Sequence, residues 1–319
     1  MAAPSYTKLE STSSNTLAAP LPPQRSKYHP LFASPEGDVV LRSLEGTLYR
    51  LHSYTLRSAS GLFSTLFTLP QPTKYAVSKE PCMPFDVAPE IDVYESDFVL
   101  ERLLRMLCGL SFDPWVSYDD VECVLAVAEK WDAPGPISTI RSALTSPQFL
   151  TSDPLRLYAL SRHFEWKEEA KLAATQTLTL NLHDPVHAPR LAQMTSRDLM
   201  PLLNLHRKRR DMFKQLLDSP ERFTAGNSSP YHCTRCGVTQ LDNHTWRELK
   251  HAMFLEIDRR PLGDNLGVMV GEMAECPEAK ACWEARCKKE DCGGYNYDRV
   301  ATLRQIRNCI DTLPMTIDD

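Results

Sequence analysis

The stretch from Gly37 to Pro70, GDVVLRSLEGTLYRLHSYTLRSASGLFSTLFTLP, constrains what this chain can fold into more than any other. Asp38 to Arg42 and Thr47 to Leu51 are short apolar runs, and Ser43 to Gly46 between them has turn chemistry, so the spacing predicts a strand hairpin. After His52 the period changes. Ala59, Leu62, Phe63 and Leu66 fall at i, i+3, i+4 and i+7, which predicts a helical stretch with one apolar stripe turned toward a core. A hairpin that runs straight into helices belongs to a mixed α/β unit, and nothing in the segment is reactive.

The chain around it sorts into four parts. Residues 1–30 are rich in Ser, Thr, Ala and Pro, hold few large apolar side chains, and are expected to form a disordered tail. Residues 31–145 alternate strand and helix signals. A third strand is expected at Glu90 to Tyr94, after a loop with Pro70, Pro72, Pro81, Pro84 and Pro89 that reads as an insertion or a binding loop. Two amphipathic helices follow. The first, capped by Ser96, has the stripe Leu100, Leu103, Leu104 and Leu107; the second, capped by Asp119 or Asp120, has Val121, Val124, Leu125 and Ala128 and is stopped by Pro134 and Pro136.

Residues 150–224 read as all-helical. Asp153 with Pro154 pairs an N-cap with Pro at the first helical position, opening a helix through Phe164. A second helix is expected at Lys167 to Leu180. A third, Leu199 to Leu217, is expected to start from an Asp198 cap, because a start at Thr195 puts Pro201 deeper in the helix. The segment Ala225 to Pro230, AGNSSP, carries a linker signal and opens a last unit, residues 228–319. Helices are expected there at Asp242 to Asp258, Leu266 to Glu275 and Pro277 to about Lys288, with a last one ending near Leu313.

The first part resembles the BTB/POZ family, and closest to it the fungal proteins in which this domain precedes a helical region and a Cys-rich tail. The likeness covers about a third of the chain and rests on GDVVLRS, RLHSYTLRSAS and VECVLAVAEKWDA. It implies an α+β BTB/POZ-like domain, a short sheet with surrounding helices, followed by an all-α, BACK-like region and a small Cys-rich α-helical unit. It also implies that Asp38 and His52 are polar residues set in an apolar core, a structural pair or the floor of a pocket. In function it implies a non-enzymatic protein–protein interaction module, either a substrate adaptor for a cullin-type ubiquitin ligase or an oligomerisation scaffold. Fuller members exchange an extra helix and strand between the subunits of a homodimer; here only Tyr28 to Glu36 stands in that place.

The net charge of −5 gives no field for nucleic acid or anionic membrane. No apolar run approaches the length of a membrane span, and MAAPSYTKLESTSSN lacks the pattern of a secretory signal, so a cytoplasmic or nuclear location with reduced thiols is expected. Of ten cysteines, seven crowd into the last part. Cys233 and Cys236, followed by Gly237, form half of a structural metal site, and Cys287 and Cys292 enclose a loop wide enough to turn both sulfurs to one ion. The expected site is zinc bound by Cys233, Cys236, Cys287 and Cys292, with Cys282 as packing or as a replacement for one of the later pair. The alternatives are free thiols in a helical core and a redox pair at Cys233 and Cys236.

A two-Cys two-His finger fails on spacing at His244 and His251, and His232 is the histidine nearest a cysteine. HRKRR at His206 to Arg210 is the densest basic run and reads as a solvated helix face, with a nuclear signal or nucleic-acid contact as the alternative. A second function class, a nuclear transcriptional regulator with a zinc-stabilised C-terminal unit, lacks the basic excess such units carry. No dinucleotide-binding, phosphate-loop, metalloprotease or nucleophile-elbow pattern occurs, so no enzyme activity is expected.

Overall fold

A computed structural model describes residues 27–69, 88–266 and 276–318. The chain divides into two compact units, Met1–Ile140 and Arg141–Asp319, so the expected boundary at residue 145 moves to 140. The expected Pro-rich loop, apart from Pro89, and most of the expected helix Leu266 to Glu275 lie outside the described residues.

The first unit is a three-stranded sheet with helices, ordered β2-β1-β3. Strand β1 (Val39–Arg42) is central, and Val39, Val40 and Leu41 are all buried, which is why it reads as a continuous apolar run rather than an alternation. It pairs antiparallel with β2 (Leu48–Leu51) and parallel with β3 (Glu90–Asp92), placing Leu41 opposite Tyr49 and Ile91. The connecting turn puts Gly46 at φ +86°, and the Ser43 hydroxyl accepts the Thr47 N–H at 3.0 Å.

The tail expected over residues 1–30 does not extend to its stated end. The backbone of residues 27–32 lies along the outer edge of β2: Leu48 donates to the Lys27 carbonyl and accepts from His29, and Arg50 donates to the Phe32 carbonyl, at 2.7–2.8 Å. An edge strand that finds a partner in its own chain no longer offers unpaired groups to another.

Helices α1 (Ser53–Ala59) and α2 (Gly61–Leu66) follow β2, as the change of period requires. Buried Ser60 caps α2 by accepting from Phe63 and donates to the Trp131 carbonyl at 2.5 Å. Gly61 sits so close to Asp132 that an added Cβ falls 1.9 Å from its carboxylate. These contacts seat α2 against the end of α4 (Tyr118–Lys130), where Trp131 meets Phe63 edge-on. The stripes of α3 (Asp97–Leu107) and α4 point inward as expected: Leu100, Leu103, Leu104, Val121, Val124, Leu125 and Ala128 are buried. Ser96 is the N-cap residue of α3 as expected, with the carboxylate of Glu45 rather than its own side chain accepting the Asp97 N–H, at 2.9 Å; the cap of α4 differs from expectation, being Ser117 rather than either aspartate.

Asp38 and His52 correct the expectation drawn from the resemblance. Both are exposed. Asp38 accepts the backbone N–H and the hydroxyl of Ser53, each at 2.6 Å, and so ties β1 to the first turn of α1.

The division between units falls within α5 (Pro134–Leu144), which Pro134 opens rather than prevents, since the first turn needs no donor there. The second unit continues with α6 (Pro147–Ser152), α7 (Pro154–His163), α8 (Lys167–Thr177), α9 (Ala188–Gln193) and α10 (Ser196–Asp218). Asp153 caps α7 as expected. Helix α10 starts from Thr195, whose hydroxyl accepts the Asp198 N–H, and it carries Pro201 internally. The early start is held because Asp198 accepts from the Thr195 hydroxyl and from Arg162.

The expected linker at Ala225 to Pro230 is no linker. Thr224–Asn227 form a helical turn, α11, with Gly226 buried against Trp246 so closely that an added Cβ meets the indole at 2.2 Å. Asn227 accepts from the Trp246 indole and from Lys250, and donates to the carbonyls of Leu217 and Ser219. One core joins Phe213 and Leu217 of α10 to Trp246, Leu249, Met253 and Ile257 of α12 (His244–Arg259), Cys282 and Trp283 of α13 (Pro277–Glu284), and Ile306 and Cys309 of α14 (Arg299–Asp311). The parts expected at 150–224 and 228–319 therefore share an interior. No helix among the described residues is long and apolar enough to cross a membrane.

Candidate metal centre

Two short loops build the cysteine cluster by the same local geometry. In the first, Cys233 donates to the Thr239 carbonyl, Leu241 to the Tyr231 carbonyl, and Gly237 turns back onto the Cys233 carbonyl at φ +66°. In the second, Cys287 donates to Gly294, Asn296 to Ala285, and Gly293 takes φ +56°. Each loop is a small hairpin closed by one bridge, His232 with Gln240 and Arg286 with Tyr295. The left-handed glycine beside the last cysteine of each lets both sulfurs face the same side. Helix α13 ends at Glu284, short of the expected Lys288, because the chain must leave the helix to make the second hairpin.

The sulfurs of Cys233 and Cys292 lie 3.6 Å apart, those of Cys236 and Cys287 3.9 Å, and all four lie within 4.8 Å of one another. Zinc–thiolate bonds of about 2.3 Å in a tetrahedron require a sulfur–sulfur edge of about 3.8 Å. The separations of 3.6 and 3.9 Å bracket that value. Cys233, Cys287 and Cys292 are buried and Cys236 is half-buried, packed with Leu241 in a small cluster separate from the main core.

Electrostatics fits a cation. Backbone N–H groups of Thr239 and Val238 pull the Cys236 thiol down to about 5, and that of Lys289 lowers Cys287. For Cys292 the Gly294 N–H also acts downward, but burial and the neighbouring thiols outweigh it and push the group up to about 11. Four sulfurs this close cannot all ionise on their own; a divalent ion makes four thiolates compatible.

The remaining candidates fall outside the cluster. Cys282 lies in the main core, where burial pushes its thiol up to about 12, so it serves as packing and not as a replacement ligand. His232, His244 and His251 are exposed, and His244 faces Glu248 at 3.1 Å. Cys233 and Cys236 converge with a second pair, unlike an isolated redox pair.

The HRKRR run divides by side of α10. Arg207 and Arg210 pair with Asp211, Arg210 also with Asp258, and Lys208 with Asp318. His206 turns inward to the Thr177 hydroxyl at 3.1 Å. Arg209 corrects the reading of a solvated face: it is 0 % exposed and gives its protons to the carbonyls of Pro261 and Pro314 at 2.7 Å and Leu262 at 3.1 Å. Sequence reasoning missed Arg209 and the backbone donors around the sulfurs, and for the donors residue identity carries no signal. Comparison with protein-family models and with curated proteins finds no match.

Proposed function

We propose that the chain is a non-enzymatic protein-interaction module, a BTB/POZ-like unit followed by a helical unit whose last part is held by one structural zinc ion, acting as a substrate adaptor for a cullin-type ubiquitin ligase in the cytoplasm or nucleus. The observation that carries this reading is the β1–β2 hairpin running into α1 and α2 and closed by α3 and α4 around a three-stranded sheet. An adaptor is favoured over a strand-exchanged scaffold because residues 27–32 of the same chain already cover the outer edge of β2.

Zinc is the ion favoured by four thiolates at tetrahedral spacing, and it supplies structure rather than chemistry, since no ligand position is left open. Cys233, Cys236, Cys287 and Cys292 hold it, clamping the two hairpins that flank α12 and α13. The test is direct binding of the purified, zinc-loaded chain to the N-terminal region of each cullin type, with mass measured by light scattering. Binding at one chain per cullin is expected. A stable dimer that binds no cullin replaces the adaptor with the scaffold, and a monomer that binds none overturns both.

A further inference from the structure

A cavity of about 1230 Å³ opens beside the cysteine cluster, walled by α11, α13, the loop after Cys292 and the first turn of α14. Phe223, Trp246, Trp283 and Tyr297 line it, with the Trp246 ring tilted by 34° to Phe223 at 4.9 Å and by 35° to Tyr297 at 6.2 Å. Such walls take flat or branched apolar groups.

Its charges are uneven. Arg222, Lys280 and Arg299 border it and are exposed. The acids on the same lining are Glu284 and Asp298, and the Asp298 carboxylate is engaged in capping α14 through the Ala301 N–H at 3.0 Å. The N-terminal turn of α14, a 13-residue helix, lies on the wall and adds its partial positive charge.

Besides the Tyr297 hydroxyl, two lining groups are buried without a hydrogen-bond partner: the indole N–H of Trp283, a residue 9 % exposed, and the side-chain oxygen of Asn296. One is a donor and the other an acceptor, and a peptide group offers the complement of both. Both atoms are sheltered from water, so pairing with a bound chain requires the wall side chains to shift.

We infer that this trough is a docking site for an extended peptide segment of a partner protein that carries an acidic side chain next to an aromatic or aliphatic one. The apolar side chain fills the aromatic floor, the carboxylate meets Lys280, Arg299 and the start of α14, and the peptide backbone pairs with Trp283 and Asn296. The inference rests on the interaction-module reading and locates where the second unit would take its cargo.

The test uses the full, zinc-loaded chain as bait for a phage-displayed library of random twelve-residue peptides, with enriched sequences resynthesised for fluorescence polarisation. Enrichment of Asp or Glu within two residues of Phe, Tyr, Trp or Leu is expected, with affinity that falls as salt rises. The double variant Lys280→Glu/Arg299→Glu should lower affinity at least tenfold, and Trp283→Phe, which keeps the ring and removes the N–H, about tenfold. Both charge changes are on exposed residues, and Glu at the start of α14 suits the helix, so zinc content and melting temperature should match the parent.

No enrichment, enrichment of sequences lacking an acid, or affinity indifferent to both variants overturns the site. Cullin binding measured on the same proteins separates the two readings. A variant that loses peptide but keeps cullin supports both, whereas a parent that binds peptide through the trough but no cullin retains the site and sinks the adaptor.

Discussion

Replacing Arg209 with Met leaves the aliphatic stem in place and removes the guanidinium, stranding the carbonyls of Pro261, Leu262 and Pro314 that it now serves at 2.7–3.1 Å. Burial lowers its pKa to about 10, so it is charged at neutral pH and its hydrogen bonds are charge-assisted. Each is worth roughly 1.5–3 kcal/mol, against a desolvation cost of several kcal/mol that the Met variant no longer bears. Carbonyls near Pro314 regain water more readily than those inside, so the net loss is about 3 kcal/mol. For a unit of this size that is a fall in melting temperature of roughly 6–12 °C. Scanning calorimetry of the full chain in zinc-containing buffer, with urea unfolding beside it, measures both quantities. Lys208→Met is the control, because its exposed pair with Asp318 is worth well under about 1 kcal/mol. A loss at Arg209 no larger than that of the control refutes the assignment of Arg209 as the staple between α10, residues 261–262 and residues 313–315.

Elemental analysis of protein purified without chelator should give about one zinc per chain, and Cys233→Ser should release it and expose the C-terminal hairpins to protease; zinc well below one equivalent returns the cluster to plain buried thiols. Burial pushes His206 down to about 4, so the unfolded chain takes up a proton that the folded one refuses as pH drops below about 6.5. Stability is then complete above that pH and declines by up to about 3 kcal/mol toward pH 4, while His206→Gln, retaining a partner for Thr177, should flatten the profile between pH 6.5 and 4 in urea titrations. Gly226→Ala drives a methyl into Trp246 and should cost about 2–3 kcal/mol by the same assay; an unchanged midpoint would mean the turn at 224–227 packs more loosely than described.

What the sequence made legible follows from how local each signal is. Hairpin, helix stripes and the two cysteine pairs are set by spacing within a few residues, and Leu100, Leu103, Val121 and Val124 turn inward as their periods require. Helix limits were harder because proline has two meanings: Pro134 sits where a new helix can begin, and Pro201 is tolerated inside α10. The choice depends on which neighbour supplies the cap, and Glu45, which serves α3 from 52 residues away, has no local signature. AGNSSP has the composition of a linker, yet Gly226 is there because only hydrogen fits under Trp246. Arg209 shares the inward face of α10 with Leu202, Leu205, Phe213 and Leu217, and a charge in that stripe reads as surface until the carbonyls that receive it are seen.

The sulfurs that meet in the cluster are 59 and 51 positions apart, and the span between them carries α12 and α13 whole. A bound dication therefore acts as a removable cross-link around a lasso of chain. In a chain-entropy picture, closing a loop of 51 residues is worth about 4 kcal/mol at 25 °C. During synthesis the first sulfur pair leaves the ribosome well before the second, so metal captured early has only two protein ligands until Cys287 and Cys292 follow. If the cluster binds its ion as proposed, each tenfold rise in free ion above the dissociation constant adds about 1.4 kcal/mol to the assembled form, and stability becomes coupled to metal supply.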